Sequence, residues 1–205
     1  MGTISAFESV TLDGVMQGPG RPDEDTRGGF RHGGWGVGHA DEVTGRFAGS
    51  GMARTRALLF GHRTYDDLLR HWTSVAGPNP FTEALLNQRK YVATRDGGAR
   101  LAYPNSIPLA GEATETVARL KTEIDGVITV IGSGELVRAL HRAGLVDEYV
   151  LLIHPIVLGS GTRLFGDGDG DGDGGGDGGG GRADLVLEES VTSTTGVVVA
   201  RYQVK

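Results

Sequence analysis

The chain has 205 residues, 38% hydrophobic, with no cysteine and a formal net charge of −6. That length suits one domain with a sizeable core, and the missing cysteines exclude disulfides, thiolate metal sites and cysteine nucleophiles, which fits a reducing compartment. Five of the six net negative charges belong to Asp167, Asp169, Asp171, Asp173 and Asp177 of one run, GDGDGDGDGGGDGGGG at 166–181, so the rest is near neutral, with no basic stripe for nucleic acid.

Taken in chain order, Ile4 to Leu12 reads as a strand that Asp13-Gly14 ends. Residues 18–38, rich in Gly, Pro and charge, read as a long loop. Asp41 to Ala53 has helical spacing through Val43, Phe47 and Met52, weakened by three glycines. Ala57 to Phe60 is a short apolar strand; Gly61 follows, and a helix runs from Thr64 to Leu69. Lys90 to Thr94 is a strand with Arg95–Gly98 as its turn.

Thr114 opens a helix through Val117, Leu120 and Ile124 and is its expected N-cap. Val127 to Ile131 is β-branched and reads as a buried strand. Gly132-Ser133-Gly134 follows, then a helix over Leu136, Val137 and Leu140 that closes near Gly144. Glu148 to Leu158, Leu185 to Glu189 and Val197 to Val204 are strands. Alternating strands and helices predict an α/β fold with a mainly parallel sheet covered on both faces. The last three strands, without helices between them, predict an antiparallel edge, and the Gly-Asp run takes the place of a hairpin connection. No stretch approaches the roughly 18 apolar residues of a membrane span. Met1–Ser5 has no basic region followed by an apolar one. A soluble, cytoplasmic protein is expected.

Two strand-to-helix turns carry the chemistry. LLFGHRTYDDL brings Gly61 to a helix start, and VITVIGSGELVRAL does the same with Gly132-Ser133-Gly134. Glycine allows close backbone approach, and a helix N-terminus offers unpaired N–H groups and a positive dipole end. Each turn is a candidate anion site, and two at the carboxyl edge of one sheet suit a dinucleotide. Arg63 and Arg95 suit a 2′-phosphate. The G-x-G-x-x-G and P-loop patterns are absent.

The order of TLDGVMQG, GHRTYDDL, YVATRD, VIGSGELVRAL and LVDEYVLLIHPIVLGSGTRLF resembles the dihydrofolate reductase superfamily, in the branch of the riboflavin-biosynthesis reductase C-terminal domain. The resemblance spans nearly the whole chain except 166–181. It implies a single domain over 1–205, a three-layer fold, and NADPH as hydride donor to a small pterin-, pyrimidine- or flavin-like substrate. It places Gly61, Arg63 and Thr64 at the adenosine-side phosphates, and Thr94 and Arg95 beside the 2′-phosphate. Gly132, Ser133, Gly134 and Glu135 would wrap the pyrophosphate; Ser9, Asp13, Gly14 and Met16 would line the nicotinamide edge. His62 stands where the family's first turn carries Arg, with Arg63 next. The companion zinc deaminase motif is missing.

Proton donation falls to Asp13 or Glu42, and Trp35 and His39 are candidate pocket residues. His154 reads as a satisfied sheet histidine, and no histidines have metal-type spacing. The apolar strands Val150 to Leu158 and Val197 to Val204 read as an exposed edge, which, with the resemblance, implies a homodimer. Two other readings stand beside the reductase: a non-catalytic nucleotide-binding module of the same fold, and calcium binding by the Gly-Asp run. That run lacks a carboxylate at the twelfth loop position, which is Gly178 when counted from Asp167. Deleting 167–180 should therefore leave cofactor binding intact, checked by the NADPH-induced melting shift of the shortened chain.

Overall fold

The computed structural model describes residues 1–165 and 181–205. The strands are β1 (Thr3–Thr11), β2 (Thr55–Gly61), β3 (Lys90–Thr94), β4 (Ser106–Ala110), β5 (Val127–Ile131), β6 (Glu148–His154), β7 (Leu185–Thr192) and β8 (Val198–Val204). The helices are α1 (Glu42–Arg54), α2 (His62–Ser74), α3 (Pro80–Asn87), α4 (Ala113–Glu123) and α5 (Gly134–Arg142). One eight-stranded sheet runs in the order β4-β3-β2-β5-β1-β6-β8-β7. The pairings from β4 across to β6 are parallel; β8 pairs antiparallel with β6 and β7.

Period-two alternation sorts the strand residues between two covered faces. Ile4, Ala6 and Val10 of β1 join Val117 and Leu120 of α4 and Leu136, Val137 and Leu140 of α5 in the main core. On the other face Leu58, Phe60 and Val92 pack with Tyr65 and Leu69 of α2 and Leu85 of α3. Phe47 of α1 packs there against Phe7, Val150 and Leu152. The architecture is the expected three-layer α/β fold.

Several local expectations change. Helix α3 starts at Pro80 with Asn79 as cap, its Oδ1 accepting from the N–H groups of Phe81 and Thr82. Strand β4 contains Pro108 and occupies the sheet edge, where a missing N–H costs no ladder bond. The N-cap of α4 is Glu112, not Thr114, and among the described residues no side chain caps it. Strand β6 stops at His154, where Pro155 cannot donate to the ladder. Strand β8 lies between β6 and β7, so the connection holding the Gly-Asp run joins non-neighbours and is no hairpin. The run itself, from 166 to 180, lies outside the described residues, as does the calcium reading placed on it. Among the described residues no three His, Asp or Glu gather to hold a metal, and no helix is long and apolar enough to cross a membrane. The exposed edge is β7 rather than β6 or β8, with Leu187 52% exposed.

One buried charge is structural. Lys90 is 0% exposed, and its Nζ donates to the carbonyls of Leu85 (2.6 Å), Leu86 (3.2 Å) and Gln88 (2.8 Å). These carbonyls end α3 and have no partner within the helix. Burial draws the Lys90 pKa down to about 8. Lys90→Met should destabilise the fold by about 2–4 kcal/mol, read from urea unfolding, because the Leu85 and Gln88 carbonyls lose their side-chain donor while Leu86 keeps Asn105 Nδ2 at 3.1 Å.

Candidate functional site

The carboxyl ends of the parallel strands open into a cleft of about 1470 Å³. Its floor is built by the two glycine turns. Helix α2 starts at His62 after Gly61, and α5 starts at Gly134 after Ser133; neither start has a side-chain cap among the described residues. Their first N–H groups are thus free for an anion.

The turns are tied to each other. The Gly61 N–H donates to Ser133 Oγ at 2.8 Å. Gly132 (φ +59°) and Ser133 (φ +66°) are successive left-handed residues, a geometry costly for most side chains. A Cβ on Gly132 would also stand 3.1 Å from the Thr64 methyl, so this residue has no room to grow. The third helix start at this edge, Gly111 to Ala113 ahead of α4, also lines the cleft; sequence reasoning did not find it.

Of the expected site residues, Ser9, Met16, His39, Gly61, Arg63, Thr64, Thr94 and Arg95 line the cleft, as do Gly132, Ser133, Gly134 and Glu135. Arg63 and Arg95 are exposed, and neither pairs with a carboxylate among the described residues. Glu135 is not free: Arg27 Nη1 meets its Oε1 at 2.8 Å, and Arg27 also holds Asp25. Arg27 keeps the Glu135 carboxyl below its usual range.

Four expected residues are not in the wall. Glu42 is exposed at the start of α1 and pairs with Arg46. Gly14 turns the chain behind the cleft with φ +80°. Trp35 is buried, its Nε1 donating to the Gln17 carbonyl at 2.7 Å, so it pins the 18–38 loop instead of lidding a pocket. Asp13 is a clasp. Its Oδ1 accepts from Thr11 Oγ1 (2.6 Å) and the Leu158 N–H (3.2 Å), and its Oδ2 from the Gly159 N–H (2.8 Å). The Thr11 hydroxyl leads the causes that lower its pKa to about 2, so it is ionised and a poor proton donor at neutral pH. Gln17 continues the clasp, its Oε1 accepting from the N–H and hydroxyl of Thr162.

Two residues that sequence reasoning passed over do reach the cleft. Glu8 of β1 is 3% exposed, its Oε1 has no partner among the described residues, and it borders the cleft. It follows Phe7, which pairs with Ile131, and so stands beside the Gly132 turn. Burial raises its pKa to about 8, against the pull of Arg138. The second is His154, whose two ring nitrogens also lack partners among the described residues; it is not a satisfied sheet histidine. The signal for Glu8 was present: alternation puts it in the inward row of Ile4, Ala6 and Val10.

Comparison with known proteins fits this geometry. Residues 3–199 match the family described as the RibD C-terminal domain. The chain belongs to that family. The uncharacterized protein YyaP of Bacillus subtilis (strain 168) is 32% identical over 117 residues, covering 54% of this chain and 59% of YyaP. The chain thus matches less than two thirds of that relative's length. A solved structure from Shewanella sp. PV-4, whose name ties it to riboflavin biosynthesis, superposes with a TM-score of 0.66 at 18% identity, covering 99% of both chains. Dihydrofolate reductase from Enterococcus faecalis, complexed with NADP(H), gives 0.57 at 12% identity over 99% of this chain and 96% of that one. These likenesses establish the shared fold of this RibD C-terminal domain relative.

Glu8 gives a pH test. Its folded pKa is raised, so below about 4.5 both folded and unfolded states hold the proton. As pH climbs from about 4.5 to 8 the unfolded chain releases it while the fold keeps it, and stability falls. Glu8→Gln should remove that loss. Its gain over the wild type should be near zero at pH 4.5 and on the order of a few kcal/mol at pH 8, followed by urea unfolding across that range.

Proposed function

We propose that the protein is an NADPH-dependent reductase that passes hydride to a small, planar, pterin-, pyrimidine- or flavin-like substrate. The carrying observation is the pair of uncapped helix starts joined by the Gly61 N–H to Ser133 Oγ bond. Such a pair suits a ligand with phosphates at two points. Three features support that group: backbone donors without a side-chain cap at two turns, a glycine at which a Cβ would stand 3.1 Å from the Thr64 methyl, and two guanidiniums at the open end with no carboxylate partner among the described residues. Family membership supports the same reading.

When bound, the nicotinamide supplies hydride. The rest is the work of this chain. The α2 and α5 starts hold the phosphates, and Arg63 and Arg95 with Thr94 favour a 2′-phosphate over a ribose hydroxyl. Ser9 and Met16 flank the reacting end of the cleft. Glu8 stays neutral beside the Gly132 turn, where an ionised carboxylate would repel the anionic ligand. Asp13 and Gly14 shape the wall from behind through the clasp with Leu158 and Gly159. Asp13 and Glu42 make poor donors in these positions, so water at the mouth or a cleft side chain supplies the proton.

A homodimer belongs to the same proposal, with its contact moved to β7, where Leu185, Val186 and Leu187 are exposed on an edge strand. Saturating NADPH should raise the melting temperature. Arg95→Ala should weaken NADPH binding by about tenfold or more and leave NADH within about threefold, since only the former loses a charge-assisted bond. An unchanged melting curve in NADPH overturns the reading.

A further inference from the structure

His154 ends β6 on the same face as Val150 and Leu152, the face covered by α1. It is 6% exposed and borders the cleft. Neither its Nδ1 nor its Nε2 has a partner among the described residues. Buried polar groups in native proteins are almost always paired, so an orphaned one at a cleft wall calls for a partner from outside the chain. A second imidazole shares the feature. His39 borders the cleft, and its Nδ1 is also buried without a partner. The two rings stand 5.4 Å apart at 77°.

His154 cannot turn away from this position. The Trp35 ring meets it edge-on at 5.0 Å, and Trp35 is itself fixed by the Gln17 carbonyl. A Cβ on Gly36 would stand 3.6 Å from His154 Cε1. Phe7, Ser9, Thr44 and Leu152 line the neighbouring wall and carry no charge. Burial, aided by His39, holds the His154 pKa down to about 4, so the ring is neutral at pH 7. A neutral imidazole offers one N–H donor and one bare nitrogen acceptor. The His154 N–H and bare nitrogen, beside the buried Nδ1 of His39, match an uncharged edge that carries a C=O next to an N–H, whereas a neutral ring gives an ionised ligand group no opposite charge to pair with.

We propose that His154 and His39 form a recognition clamp on the α1 side of the cleft and that its ligand is the lactam or imide edge of a ring. This rests on the reductase reading only in taking that wall as the substrate side. Its role is binding and orientation, with Trp35 as the support that fixes His154.

The test uses lumazine, which has an imide N–H between two carbonyls, and its N3-methyl derivative, which has lost that N–H. Each is titrated into the protein by calorimetry, without cofactor. Wild type should bind lumazine at least about tenfold tighter than the methylated ring, the cost of leaving a buried group unpaired. His154→Leu should erase that preference, whereas His154→Gln, whose amide again offers a donor and an acceptor, should keep most of it. His39→Leu, in the half-buried loop, serves if His154→Leu does not fold. Equal affinities in the wild type, no lumazine binding at millimolar concentration, or a preference that survives in both leucine variants overturns the clamp. An NADPH melting shift on the same samples separates the two ideas: a shift with no lumazine preference sinks the clamp alone. A preference that depends on His154 with no NADPH shift supports the clamp and sinks the cofactor reading.

Discussion

The rule that parallel crossovers are right-handed organises this molecule. From β1 the chain steps over β5 to β2, then on to β3 and β4, and the connections on that course, with α1, α2 and α3, lie on one face. It then reverses, from β4 back to β5 and over β1 to β6, and α4 and α5 fall on the other face. Handedness and strand order together fix the face of each helix. At β1 and β5, adjacent strands send their chains to opposite faces, which parts the helices at their carboxyl ends. The cleft is the unavoidable gap left by that reversal. The turns, arginines and buried acids are fitted into a space that topology has opened.

Three buried titratable groups show how differently such a fold treats polar atoms. Lys90 spends its three donors on three carbonyls and is finished as a structural element. Glu8 and His154 are also buried, yet Glu8 Oε1 and both ring nitrogens of His154 have no partner among the described residues. Both are held neutral by burial, one by gaining a proton and one by losing it. The cleft thus sets two uncapped helix starts at its floor beneath polar walls that burial keeps neutral.

The parts legible in the sequence were those set by local chemistry. Apolar and β-branched runs found β1, β5 and β6, and glycine after an apolar run found both strand-to-helix turns. Helix α3 had its own local signals in Asn79 and Pro80. Strand β4 did not, because Pro108 argues against any strand whose edge position is unknown. Thr114 looked like a cap, but the helix took in two more residues, Ala113 and Thr114, and began from Glu112. Of the expected site residues, the two proton-donor carboxylates lie away from the cleft wall for a related reason. Asp13 and Glu42 were chosen as carboxylates near the right strand and helix, but what each carboxylate touches depends on segments 145 residues away or on exposure to solvent. Sequence distance hid the Asp13 clasp, and it hid the meeting of His39 with His154.

The clasp has a mechanical meaning. Asp13 and Gln17 stitch the segment after β1 to residues 158–162, and Val15 bridges to Arg163. The Gly161 backbone, at φ +115°, has Phe30 and Val15 where a Cβ would stand, so the 18–38 loop is packed onto the same seam. The 13–38 segment and the remote 158–163 segment are therefore held together as one panel. Neither loop can swing alone to admit a ligand without first breaking several hydrogen bonds to the other. Removing one stitch, as Gln17→Leu would, takes away both contacts of its Oε1 to Thr162 and loosens the two loops together.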